Sequence, residues 1–394
     1  MHSAAAQVLI LLTLTSPAFA QETRVEAIAQ QQSEKAAVAQ PHTPSKAERI
    51  FLSVKKELID TPSGLYPLFG SVLGGGGLAM GGGYRKYYGD RTFWDVKGML
   101  SIRNYRFVEA STTSPGHSQG RLDLNAHLGW RDATQVAYYG LGTQTSPDDR
   151  TNFRLKQTYA GAGIKARPIR WLVFGSLFDV EKYQVEEGLG AQPSIATRYN
   201  AVTAPGLGIN PTYFHAAATA GIDWRPAEGY ARRGGLYELR LHSYSGRQDV
   251  SSFDRLEAGV VQHLPILREN WVLSGHGLLS TTLNDADTVP FFILPALGSA
   301  STLRGFSAWR FRDRHSLLLQ GEFRWIPNRS FLDMAIFYDA GKVTSDRGEL
   351  NLDGLKSDVG VEARFHGPVS TPLRLGIARS NEGWRIVFGG SAAF

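Results

Sequence analysis

From residue 65 onward, almost every segment of the chain alternates between apolar and polar positions. Leu122, Leu124, Ala126, Leu128 and Trp130 share one side of an extended chain, and Asp123, Asn125, His127 and Gly129 share the other. Leu317, Leu319, Gly321, Phe323 and Trp325 oppose Ser316, Gln320, Glu322 and Arg324. Leu332, Met334, Ile336 and Tyr338 oppose Asp333 and Asp339, and Val359, Val361, Ala363 and Phe365 oppose Gly360, Glu362 and Arg364. Period two with one apolar face marks strands that separate two environments. Such a strand belongs either to a soluble sandwich, apolar faces inward, or to a membrane barrel, apolar faces outward.

Segment length favours the barrel: roughly sixteen runs of about ten residues suit strands tilted across a bilayer. The connections also alternate in length. Short ones are expected at 131–133, 167–170 and 326–329, and long ones at about 186–213, 284–314 and 341–357. Aromatics such as Tyr84, Trp94, Trp130, Trp171, Trp224, Trp271, Trp325 and Trp384 fall near strand ends, as in an interfacial girdle. The expected fold is all-β: a 16-stranded antiparallel transmembrane β-barrel over 64–394. If the chain enters from the periplasm, the hairpin Gly74–Gly77 points outward and 284–314 is the sixth external loop. The last strand, Trp384 to Phe394, puts Trp384, Ile386, Phe388, Ala392 and Phe394 on one face and closes the sheet.

Residues 1–20 read as a signal peptide, with the apolar run Val8–Leu12 and the ending Ala18-Phe19-Ala20. Residues 21–63 read as a periplasmic linker followed by a short amphipathic helix. The helix opens on a capping box, Ser45 with Glu48, and gathers Ile50, Phe51, Val54, Leu58 and Ile59 on one side. After the signal no apolar run is long enough for a spanning helix. With no cysteine in the chain, disulfides, thiolate metal sites and a lipoprotein anchor are excluded. The net charge of +6 does not require a polyanionic partner.

Candidate chemistry centres on Leu303-Arg304-Gly305-Phe306. Arg304 offers a guanidinium that a carboxylate can grip with two prongs. Gly305 allows a turn where a side chain would clash, and Phe306 can anchor the tip on an apolar wall. Glu322 and Asp339 fall on the polar faces of the next two alternating runs, so both are candidate partners if those faces line one space. The plain alternative is a solvated loop arginine. Other patterns carry less. Gly74–Gly77 with Gly81–Gly83 lacks the strand–helix context and lysine of a phosphate loop. Asp285, Asp287 and His276 read as turn residues and a lone histidine, so no metal or cofactor site is expected. Arg304, Arg310, Arg312 and Arg314, interleaved with Trp309 and Phe311, mimic a nucleic-acid patch. In an external loop they meet lumen carboxylates or outer-leaflet lipid phosphates instead. No spacing marks a catalytic nucleophile, and no enzyme is expected.

These residues resemble the BamA/TamA-type superfamily of outer-membrane assembly and translocation barrels, over roughly 64–394. The carriers are Leu297-Gly298 with Leu303–Phe306, then Phe337-Tyr338-Asp339-Ala340-Gly341, and the terminal-phenylalanine strand. The resemblance implies a loop folded back into the lumen, with Arg304 paired to Glu322 and Asp339. It implies an outer membrane of a Gram-negative bacterium, lipid around the barrel, and an outer-membrane protein as substrate. Members that insert proteins carry POTRA domains before the barrel. The segment ahead of the first strand here is too short for one, so a separate periplasmic partner docking on 21–60 is the expectation. A passive pore for small solutes is the alternative function, and a lipid-modifying enzyme a lesser one.

Overall fold

The computed structural model describes residues 63–247, 250–267, 269–284, 289–327, 331–367, 371, 373–390 and 394. The signal peptide, the amphipathic helix and all but the last residue of the linker segment lie outside the described residues, as do Asp285 and Asp287. The strands begin with β1 (Gly64–Gly70), β2 (Ala79–Tyr87), β3 (Phe93–Ser101), β4 (Arg106–Gly116) and β5 (Leu122–Tyr138). They continue with β6 (Thr151–Ile169), β7 (Leu172–Glu187), β8 (Thr212–Asp223), β9 (Gly234–Gly246), β10 (Phe253–Leu267) and β11 (Trp271–Thr282). A two-residue pair, β12 (Ala296–Leu297) and β13 (Phe311–Arg312), interrupts the series. The last are β14 (His315–Trp325), β15 (Leu332–Thr344), β16 (Lys356–Phe365), β17 (Leu373–Ser380) and β18 (Gly383–Gly389).

Every strand except β12 and β13 joins one antiparallel sheet of sixteen, each paired with its neighbours in chain order. The sheet curls into a nearly closed barrel. Its faces are inverted relative to a soluble protein. Leu128 (61% exposed), Leu239 (55%), Ile336 (58%) and Ile377 (48%) point outward, while Arg324, Asp333, Glu362 and Arg374 are buried inside. That inversion excludes the sandwich and is what a lipid-facing exterior around a polar lumen requires. Trp171, Trp224, Trp271 and Trp325 all lie at the end of the barrel that carries the short turns. Trp271 and Trp325 are direct cross-strand partners, 6.0 Å between ring centroids.

Two expectations need correction. Residues 131–133 form no turn; they lie inside β5, which runs 17 residues and pairs with β6 through a register shift between Ala133 and Val136. Polar Arg131 and Asp132 look like a turn in sequence, but the strand simply extends past the bilayer at the long-loop end. The last ladder also stops at Gly389. Trp384 and Ile386 face outward on β18 as expected, at 67% and 83% exposure, and Phe388 is half-buried. Phe394 does not continue that face. Its ring lies inside, 5.1 Å from the His276 ring and 6.2 Å from His263. Parity holds only while the ladder lasts, and four residues separate Phe394 from its end.

Candidate functional site

The segment 283–314 leaves β11 and returns at β14 as the sixth loop of the long-loop end. The β12–β13 pair closes its neck. Below that neck, Leu303 and Phe306 bury against Leu297, Phe311, Leu318 and Val343, with Phe306 and Phe311 in edge contact at 5.1 Å. This apolar wedge holds the tip down inside the lumen.

At the tip, the Arg304 side chain is fully buried. Its Nε and Nη2 donate to the two oxygens of Asp339 at 2.7 and 2.6 Å, and its backbone N–H donates to the same carboxylate at 3.2 Å. Nη1 donates to Glu322 at 2.6 Å, and Glu362 lies 3.7 Å from it. The guanidinium also sits 3.5 Å above the Phe337 ring. Burial pulls the Arg304 pKa down, but the hydrogen bonds to Asp339 and the charges of Glu322, Asp339 and Glu362 raise it on balance, so the charge is fixed.

Glu322, Asp339 and Glu362 come from three successive barrel strands, β14, β15 and β16. Period-two alternation puts all of them on the lumen side. Arg364 bridges Glu322 and Glu362, and Arg374 on β17 donates to Glu362 at 2.8 Å and to the Ala300 carbonyl at 3.1 Å. Three arginines therefore interleave with three carboxylates, and each ion has a partner of opposite sign. Gln320 completes the set, donating to Asp339 at 3.1 Å and to the Thr302 carbonyl at 2.8 Å.

Gly305 is a matter of space. A Cβ there would stand 2.5 Å from the Asp358 Cβ, and its carbonyl accepts from the Ser380 hydroxyl at 3.0 Å. The motif Phe337-x-Asp339-x-Gly341 resolves into three jobs on the lumen face of one strand. Phe337 floors the guanidinium, Asp339 grips it, and bare Gly341 admits Leu297 of the loop, which a Cβ would meet at 2.9 Å.

Sequence reasoning placed Arg304 with Glu322 and Asp339, and the structure brings all three together. It missed Glu362, Arg364 and Arg374 as partners, although alternation had already put Glu362 and Arg364 on the polar face. It also missed that the loop reaches the turn of the first hairpin and the last strand. Trp309 Nε1 donates to the Gly74 carbonyl in the first hairpin at 2.8 Å, and Arg385 on β18 donates to Ser307 at 2.9 Å. Arg310 and Arg312 stay in the protein. Arg310 pairs with Glu382 at 2.8 Å, and Arg312 donates to the Phe291 carbonyl at 2.9 Å among aromatic rings.

The barrel is similar to the crystal structure of BamA from Haemophilus ducreyi lacking POTRA domains 1–3. The TM-score is 0.59 at 15% identity, over 84% of this chain and 70% of that one. This chain has the BamA-type barrel fold. The same barrel is seen in CdiB from Escherichia coli, with TM-score 0.55 at 11% identity over 82% of this chain and 61% of that one. CdiB from Acinetobacter baumannii gives 0.51 at 11% identity, over 83% and 56%. No family model and no curated relative matches the sequence. In this BamA-type barrel the strand motif and the loop motif meet at one arginine.

Proposed function

We propose that this chain is an outer-membrane barrel of the assembly and translocation superfamily, acting in a Gram-negative outer membrane on other proteins. The observation that carries the reading is the sixth loop. Arg304 locks its tip to the lumen wall, and the same loop touches the first hairpin and the last strand. Among the described residues no ladder joins β1 to β18, and both are short, at 7 residues each. An unpaired strand edge is a template for another strand. A loop clasped to the first hairpin turn and to the last strand can hold that seam in register while a client strand pairs with it. Residues 21–60 are the proposed dock for a periplasmic partner that delivers clients. The role is mechanical, with no catalysis and no cofactor.

The chain has no cysteine, so a disulfide across the seam can be introduced cleanly. Phe69→Cys in β1 is paired with Ile386→Cys in β18, both on the outward face, together with neighbouring register steps on that face. Proteoliposomes holding the reduced barrel should speed insertion of an unfolded outer-membrane barrel client, and oxidation should abolish the gain. Equal rates with and without the barrel, together with a large steady conductance in planar bilayers, would replace this reading by a passive solute pore. Release of free fatty acid by the purified barrel would replace it by a lipid-modifying enzyme.

A further inference from the structure

About half-way round the strand order from the arginine lock, the lumen wall carries a different set of side chains. One hydrogen-bonded row crosses five strands: His127 on β5, Gly161 on β6, Asp179 on β7, His215 on β8 and Tyr244 on β9 are successive cross-strand partners. Glu181 is two residues along β7 from Asp179 and so shares its face. Asp179, Glu181 and His215 are each at least nine-tenths buried.

The bare member of the row is what brings its neighbours together. A Cβ on Gly161 would sit 1.7 Å from Asp179 Oδ1, so only glycine lets Asp179 lean across β6. There its Oδ1 comes within 3.0 Å of His127 Nε2, yet that buried oxygen accepts no hydrogen bond. On the other side, His215 Nδ1 stands 3.2 Å from Glu181 Oε1. One ligand atom from each of Asp179, Glu181 and His215 lies within 4.8 Å of the others. The His215 ring is held by stacking on Tyr244, 4.2 Å between centroids, and its Nε2 lies 2.9 Å from His242 Nδ1. His242 Nε2 in turn points toward Glu257 at 3.5 Å.

Charge gives the independent reason to expect a cation. Glu322, Asp339, Glu362, Asp333 and Asp132 each meet an arginine. Among the described residues, Asp179 and Glu181 meet only imidazoles within ion-pair distance. Glu181 also accepts from the Tyr183 hydroxyl, and Arg255 acts on it only from beyond ion-pair distance while contacting Glu257. Two buried carboxylates with no fixed cation in contact are costly unless something positive joins them. Nearby Glu109 is already paired with Lys97 at 2.8 Å and with the Tyr159 hydroxyl at 2.6 Å, so it leaves the deficit in place. Access exists too: a lumen cavity of about 450 Å³ is lined by His127, Gln157, Tyr159, Asp179 and Glu181.

The geometry points to a divalent transition-metal site, with Asp179, Glu181 and His215 Nδ1 as ligands and His127 as the fourth. Mixed imidazole and carboxylate donors in a four-ligand set suit Zn²⁺, whose bonds of about 2.0–2.2 Å require the three clustered donors, now within 4.8 Å of one another, to close and the His127 ring to swing in beside Asp179. His215 would pass its other N–H to His242, and Glu257 would back that ring, the outer hydrogen-bond chain that fixes a ligating imidazole. The ion would tie β5, β7 and β8 together on the lumen wall.

The test uses the full, untagged chain, stripped with EDTA, incubated with ZnCl₂, desalted and measured by elemental analysis. About one zinc per barrel should be retained, and Co²⁺ in its place should give the intense visible bands of a tetrahedral site. Asp179→Asn and His215→Gln should each weaken zinc binding by at least ~10-fold. Glu181→Gln serves if either fails to show the heat-dependent gel shift of a folded barrel. Retention should fall on acidification, because the imidazoles must be neutral to bind. A wild-type barrel that keeps no zinc after desalting would overturn the site. So would folded variants that keep as much zinc as wild type, since the metal would then be held elsewhere.

Discussion

The two polar walls of the lumen solve one problem in opposite ways. On β14–β16, Glu322, Asp339 and Glu362 are neutralised by arginines, which cannot lose their protons, and these groups are cross-linked by short, directed hydrogen bonds. That wall is committed: it receives a loop and holds it. On β7, buried Asp179 and Glu181 face histidines of β5 and β8, whose charge is conditional, and this part of the wall opens on a cavity rather than a loop. The contrast teaches that lumen polarity alone says little about role. The permanence of the counter-charge separates a structural clamp from a site that can respond to its surroundings.

The comparison breaks most sharply at Arg304. Arg304→Ala strands buried Asp339 without its arginine and takes one of two arginines from Glu322, and should cost about 3–5 kcal/mol. The change should be read as a lowered temperature for the gel shift of the folded barrel and as new protease cleavage within 283–314. An unchanged transition and an uncut loop would show that the clamp holds nothing. Arg304→Lys should recover only part, because an ammonium cannot grip two oxygens of one carboxylate in parallel.

A smaller effect is expected one residue on. Gly305→Ala forces a methyl toward Asp358 and should cost about 1–3 kcal/mol by overpacking. The same gel-shift transition measures it, and a neutral result would mean the loop tip is slack. The smallest expected effect tests the separation itself. Asp179→Asn combined with Arg304→Ala should give the sum of the single losses to within about 0.5 kcal/mol, since distant sites add. Strong non-additivity in denaturant titrations would mean the two walls form one network.

Much of this was readable in the chain because strand alternation is local. Whether Glu322 or Asp339 faces inward depends on its own pleat and on which face is greasy, and both are written within a few residues. The long sixth loop was readable for a similar reason, lying between two strong alternating runs. Reading failed where local chemistry was ambiguous. Arg131-Asp132-Ala133 has turn-like composition but sits in a strand that outruns the membrane. Phe394 has the parity of the outer face but lies past the end of its ladder.

The sequence by itself determined the sheet, the sense of its faces and the identity of the gripping arginine, because each follows from neighbours in the chain. Only the tertiary structure decided which ions meet. Glu362 and Arg374 join the clamp because β16 and β17 curl beside β15, and His127 reaches Asp179 because register sets Gly161 between them. Strand register and barrel closure are properties of the whole ring of hydrogen bonds, and no short stretch of chain contains them.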